Sequence, residues 1–154
     1  MHFLLPFLIA IILSLPNSAC SDTIAFKSMD LSTTLRGILS FPDGPGPFPM
    51  VILLHPCGGL EPFAVATLQA HANTLHAAGF GTLIPDSYGP RNLDVGKACS
   101  IGTTASFRRG DAFAAMIALQ VRLKVSKDNI FVLGLSDGGA AALLAAKGNS
   151  DECF

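Results

Sequence analysis

Of the 154 residues only 14% are charged, 10 basic against 11 acidic, and no run of lysine or arginine occurs. That near-neutral balance leaves no electrostatic footprint for a phosphate backbone, which argues against nucleic-acid binding. No apolar run reaches the roughly 20 residues that cross a bilayer; the longest, Phe3 to Leu15, is broken at Pro6. There is no CxxC, no HExxH and no Cys/His cluster at zinc spacing, so no metal and no cofactor is expected. Internal repeats and low-complexity tracts are absent too. What remains is an apolar chain, 50% hydrophobic, that reads as one globular domain rather than a disordered one.

The N-terminal run is followed by Pro16, Asn17, Ser18 and Ala19, the layout of a signal peptide with its helix breaker and small residues. We read residues 1–19 as a removable leader; a buried first helix or an uncleaved anchor is the alternative. Lipidation at Cys20 is the lesser option, because Asn17 stands where that motif wants an aliphatic side chain. Export would place residues 20–154 in an oxidising compartment, periplasmic or extracellular, with no membrane span once the leader is gone. The four cysteines, Cys20, Cys57, Cys99 and Cys153, could pair there.

Alternation predicts strands over Thr23–Phe26 and Leu35–Phe41, and the unbroken run Met50–Leu54 a strand covered on both faces. Val65, Leu68, Ala72 and Leu75 recur at helical spacing, with Gln69, Asn73 and His76 on another side. A short strand, Thr82–Ile84, precedes a long irregular stretch to about Thr104. Ser106 is placed as the cap of a helix buried along Ala112, Met116, Leu119 and Leu123. Lys127-Asp128-Asn129 turns the chain into a strand at Ile130–Leu133, and a final helix covers Ala140–Ala146. Strands alternating with helices imply an α/β fold: a mostly parallel sheet with helices on both faces.

Gly134-Leu135-Ser136-Asp137-Gly138 has the GxSxG form of a nucleophile elbow, with a strand before it and a helix after it. A sharp strand-to-helix turn leaves no room for side chains two residues either side of the nucleophile, and it lifts the serine hydroxyl clear of the sheet. A phosphate-cradling loop fits badly, since the turn matches neither GxGxxG nor GxxxxGK[ST] and holds no lysine.

Three ordered segments now carry a resemblance: Val51–Gly59, with His55-Pro56-Cys57-Gly58-Gly59 at its end; Ile84–Arg91; and Gly134–Gly139. From about Ala25 to Lys147 the chain resembles the dienelactone hydrolase branch of the α/β-hydrolases. The resemblance implies that Ser136 is the nucleophile. It further implies that the backbone N–H of Cys57 or Gly58 joins that of Asp137 as an oxyanion hole. His55 would be a scaffold residue rather than a base. Arg91 would either clamp a substrate carboxylate or form a surface salt bridge. A Cys57–Cys99 bridge would pin the long loop to the oxyanion loop, with reduced thiols as the alternative. His71 is read as helix packing, and Arg108 with Asp111 as a solvated ion pair three residues apart.

Two departures matter. Relatives often use cysteine as nucleophile where this chain has Ser136, which puts dienelactone itself in doubt and leaves a small-molecule ester or lactone as the expected substrate. The family's acid and histidine follow the nucleophile, yet all four histidines (His2, His55, His71, His76) precede it. The expectation is therefore an α/β-hydrolase sheet lacking its C-terminal strands, the N-terminal part of a hydrolase, poorly active and aggregation-prone alone. A non-catalytic, partner-stabilised half-domain is the competing reading. The sequence leaves the particular ester, the cysteine pairing and the oligomeric state open.

Overall fold

The computed structural model describes residues 21–101 and 104–147; the expected leader, Cys20 and the tail with Cys153 lie outside the described residues. Five strands form one sheet: β1 (Ser21–Lys27), β2 (Thr34–Ser40), β3 (Phe48–Leu54), β4 (Gly81–Asp86) and β5 (Val125–Gly134). The helices are α1 (Pro62–Ala77), α2 (Val95–Ile101), α3 (Thr104–Gln120) and α4 (Asp137–Ala146), with a 3-10 turn at Gly89–Arg91. The strand order is β1-β2-β4-β3-β5. β4, β3 and β5 run parallel, while β2 pairs antiparallel with both β1 and β4. The sheet is thus mixed, with its parallel half around β3.

β3 shows why an unbroken aliphatic run was needed. Met50, Ile52 and Leu54 point into the core beneath α3 and α4, and Val51 and Leu53 into the core beneath α1. None of the five exceeds 5% exposure. A strand with water on one face would have alternated polar residues there. α1 adds Leu68 and Ala72 to its core, both fully buried; a buried leucine contributes about 2 kcal/mol.

Several expectations are corrected. The long irregular stretch contains the 3-10 turn and α2, whose start is capped by Asp94: its carboxylate accepts from the Gly96 and Lys97 amides at 2.9 and 3.3 Å. Ser106 caps nothing, because α3 already begins at Thr104. Leu123 lies beyond the end of α3 and is fully exposed. His71 is exposed rather than packed. The turn expected at Lys127-Asp128-Asn129 is a register shift within β5, where residues 126–129 stand opposite Pro49 alone.

β5 is the last strand on its side among the described residues. Beside it an apolar cleft of about 390 Å³ opens between β5, α3 and α4, lined by Ile52, Met116, Phe131, Val132 and Ala145. Phe131, which lines it, is 52% exposed, and Leu143 on α4 is 74% exposed, so this side of the sheet is apolar and open.

Candidate active site

The site is built by register. Leu54 of β3 pairs with Gly134 of β5 in parallel, so the loops that follow leave the sheet side by side. The Leu135 amide donates to the Leu54 carbonyl at 3.1 Å and ties them together. A Cβ on Gly134 would collide with the Gly138 carbonyl, and one on Gly138 with the Leu54 and His55 carbonyls. The glycines of GxSxG are therefore steric requirements, as the motif predicts.

Between them Ser136 adopts φ 53° and ψ −118°, a backbone state that only a tightly held turn imposes on a non-glycine residue. Its side chain is exposed. Ser136 precedes the first turn of α4, where Gly138 N–H donates to Leu135 O at 2.9 Å and Gly139 N–H to Ser136 O at 2.8 Å. The intervening Asp137 amide has no acceptor among the described residues, and neither has the Cys57 amide across the gap between the loops. The Asp137 amide, at a helix N-terminus directly after the exposed serine, suits a developing oxyanion, and the Cys57 amide lies on the loop that leaves the sheet alongside. Gly58 lies next to Cys57 with open space where a side chain would project, its nearest neighbour being Glu61 at 3.9 Å. It borders a cleft of about 380 Å³ lined also by Leu60, Glu61, Asp86, Tyr88 and Val95.

The Asp137 side chain turns the other way. Its Oδ2 accepts from Thr104 Oγ1 and Arg108 Nη1, each at 2.6 Å, and from the Tyr88 hydroxyl at 3.5 Å. Burial alone would raise its pKa, but the Thr104 and Arg108 hydrogen bonds and the Arg108 charge outweigh that and hold it below the usual carboxylate range. Arg108 is wholly buried, and its Nη2 donates to the His55 carbonyl.

His55 is fully buried with its ring edge-on to Tyr88, centroids 4.7 Å apart. The Ser87 amide donates to Nε2 at 3.3 Å, so Nδ1 carries the proton and donates to the Pro56 carbonyl at 2.8 Å. Burial first, then the Arg108 charge, lowers its pKa to about 4. His55 is thus a neutral scaffold residue.

Its linkage gives a prediction. The unfolded chain takes up a proton near pH 6.5 and the folded protein only near 4, so the unfolded state binds more protons between those values. Stability is complete above that window and lost as pH falls through it: about 2 kcal/mol from pH 7 to 5 and about 3 by pH 4. Urea midpoints across that range should fall accordingly, and His55→Asn should flatten the slope.

Two expectations about charge are corrected. Of the two readings of Arg91 the ion pair holds and the carboxylate clamp does not, but it is not a surface pair. Arg91 is bidentate to Asp111, 2.8 Å for each bond, donates to the Ser87 carbonyl at 2.7 Å and lies over the Phe107 ring at 4.8 Å. The pair is largely buried, with side-chain exposures of 16% and 1%. Arg108 and Asp111 are not a solvated pair either: both are buried and each takes a partner off α3. The missed signal was phase. Arg108 and Asp111 fall on the stripe of Ala105, Ala112, Ala115 and Leu119, the buried side of α3. Of the two states open to the thiols, Cys57 and Cys99 form a disulfide, with Cα atoms 4.9 Å apart, fastening the loop after β3 to α2.

The sequence matches no protein-family model and no curated protein. Solved structures do match. A dienelactone hydrolase-like promiscuous phosphotriesterase from metagenomic libraries superposes with TM-score 0.65 at 24% identity, over 84% of this chain and 55% of its own. Dienelactone hydrolase from Anabaena variabilis gives 0.66 at 18%, over 86% and 59%. The α/β hydrolase GrgF from a Penicillium species gives 0.64 at 23%, over 84% and 42%. This chain has the α/β-hydrolase fold. It spans about half the length of the structures it matches.

Proposed function

We propose that this chain supplies the nucleophile and oxyanion hole of an exported serine hydrolase of the dienelactone hydrolase type, acting on small carboxylic esters or lactones. The observation that carries the reading is Ser136: exposed, strained to φ 53°, and followed by the Asp137 amide, which, like that of Cys57 on the neighbouring loop, has no acceptor among the described residues. One relative in fold is named a dienelactone hydrolase and another a dienelactone hydrolase-like phosphotriesterase. The Cys57–Cys99 bridge suits an oxidising compartment.

In the reaction a base takes the Ser136 hydroxyl proton as Oγ bonds to the acyl carbon, the carbonyl π pair moves onto oxygen, and the two amides hold that oxyanion; the proton passes to the alcohol oxygen as it leaves. Collapse expels the alcohol oxygen, and water then cleaves the acyl-serine. His55 is buried and neutral and serves the loop, so the general base and its acid come from outside the described residues. With Arg91 bound to Asp111, its guanidinium is not free for a substrate carboxylate, which favours neutral esters over dienelactone. The open apolar edge of β5 favours the second reading, a partner-stabilised half-domain without catalysis.

Labelling separates the two. An alkyl fluorophosphonate should react slowly with Ser136, because a serine without a base is a weak nucleophile. Added imidazole should accelerate it by accepting the hydroxyl proton as the O–P bond forms and fluoride leaves. Mass spectrometry should place the adduct on Ser136 and find none in Ser136→Ala. A folded protein whose Ser136 stays unlabelled even with imidazole would support the non-catalytic reading.

A further inference from the structure

Arg108 is wholly buried on α3, yet its guanidinium ends go to two different loops. Nη1 donates to the carboxylate of Asp137, whose amide is one oxyanion donor; Nη2 donates to the carbonyl of His55, two residues before Cys57, whose amide is the other. Its Cζ lies 5.3 Å from the Tyr88 ring centroid, and the Tyr88 and Thr104 hydroxyls complete the shell around Asp137. The arrangement is expensive for stability alone. It buries a charge and leaves Nε without a partner among the described residues, where well-packed apolar side chains are often as stable. What an apolar residue cannot do is hold two loops at a set separation, and a lysine, with one nitrogen, cannot reproduce the planar fork.

We propose that Arg108 is a positioning residue that sets the spacing of the Cys57 and Asp137 amides, and so the fit of the oxyanion hole, through the His55 carbonyl and the Asp137 carboxylate. The role rests on the hydrolase reading. It predicts that loss of the fork changes how the hole grips an oxygen more than it changes whether the chain folds.

The test uses the full chain, phosphonylated at Ser136 with imidazole present, and reads the phosphorus NMR shift of the adduct in the folded and the denatured protein. Wild type should show a clear difference, because the phosphoryl oxygen accepts from both amides only when folded. Arg108→Met should lose most of that difference and label at least about tenfold more slowly, since small misplacements of reacting groups carry costs of that size or larger. Arg108→Lys keeps the charge against Asp137 and is the milder variant should Arg108→Met not fold; it should be impaired in the same direction. Leu68→Ala, on the far face of the sheet, should lose stability and keep the wild-type signature. Wild-type signatures in the folded arginine variants, or loss of the signature in Leu68→Ala as well, would overturn the positioning role while leaving the hydrolase reading intact. Absence of any adduct in wild type would overturn both.

Discussion

Gly138→Ala should destabilise the protein by about 3 kcal/mol or more, the range reached when a side chain is forced into a filled space. Helix propensity argues the other way, because Gly138 lies in the first turn of α4 and alanine is favoured in helices by about 1 kcal/mol. Sterics decide. The added methyl would sit 2.6 Å from the His55 carbonyl oxygen and closer still to that of Leu54, and these are backbone atoms of a core strand and the loop it feeds. Relief would have to move β3 away from the elbow. Gly139→Ala is the control: its methyl would lie 3.3 Å from the nearest atom, the Gly134 carbonyl oxygen, and the change should be mild. Urea midpoints of the two variants measure the contrast. Equal midpoints would mean that the elbow does not pack against the end of β3.

Breaking the Cys57–Cys99 bridge should cost about 4 kcal/mol on the chain-entropy account for a loop of 42 residues. The loop it closes contains α1, β4 and the 3-10 turn, and its ends lie in the loop after β3 and in α2. Cys57 is half-buried and Cys99 exposed, so a thiol reductant can reach the bond in the folded protein. Reduction, or Cys57→Ser with Cys99→Ser, should lower the urea midpoint and slow phosphonylation of Ser136, since the Cys57 amide would lose one of its anchors. An unchanged midpoint, with Cys57 and Cys99 alkylated quantitatively, would contradict the entropic estimate.

The parts of the fold legible in the sequence are those fixed by local pattern. The aliphatic run in β3 announces a strand with two buried faces. The Leu68 and Ala72 spacing announces α1. The glycines of the elbow announce a turn in which two backbones touch. Register errors arose where the decisive partner is local but polar: Asp94 capping α2 hides in what reads as loop, and the shift in β5 resembles a turn. Illegible altogether were the pairings of Arg91 and Arg108. A sequence gives the phase that turns Arg108 and Asp111 inward, but only the folded chain shows that Arg91 crosses to Asp111 and Arg108 to Asp137. That exchange is also what occupies the Arg91 guanidinium and links the Asp137 carboxylate to the His55 carbonyl through Arg108.

The most direct test of the account is a crystal structure of the protein phosphonylated at Ser136. The account predicts the phosphoryl oxygen within about 3 Å of both the Cys57 and the Asp137 amide nitrogens, the distance an oxyanion hole requires. A phosphoryl oxygen turned towards solvent, with either amide bonded elsewhere in the protein, would contradict it.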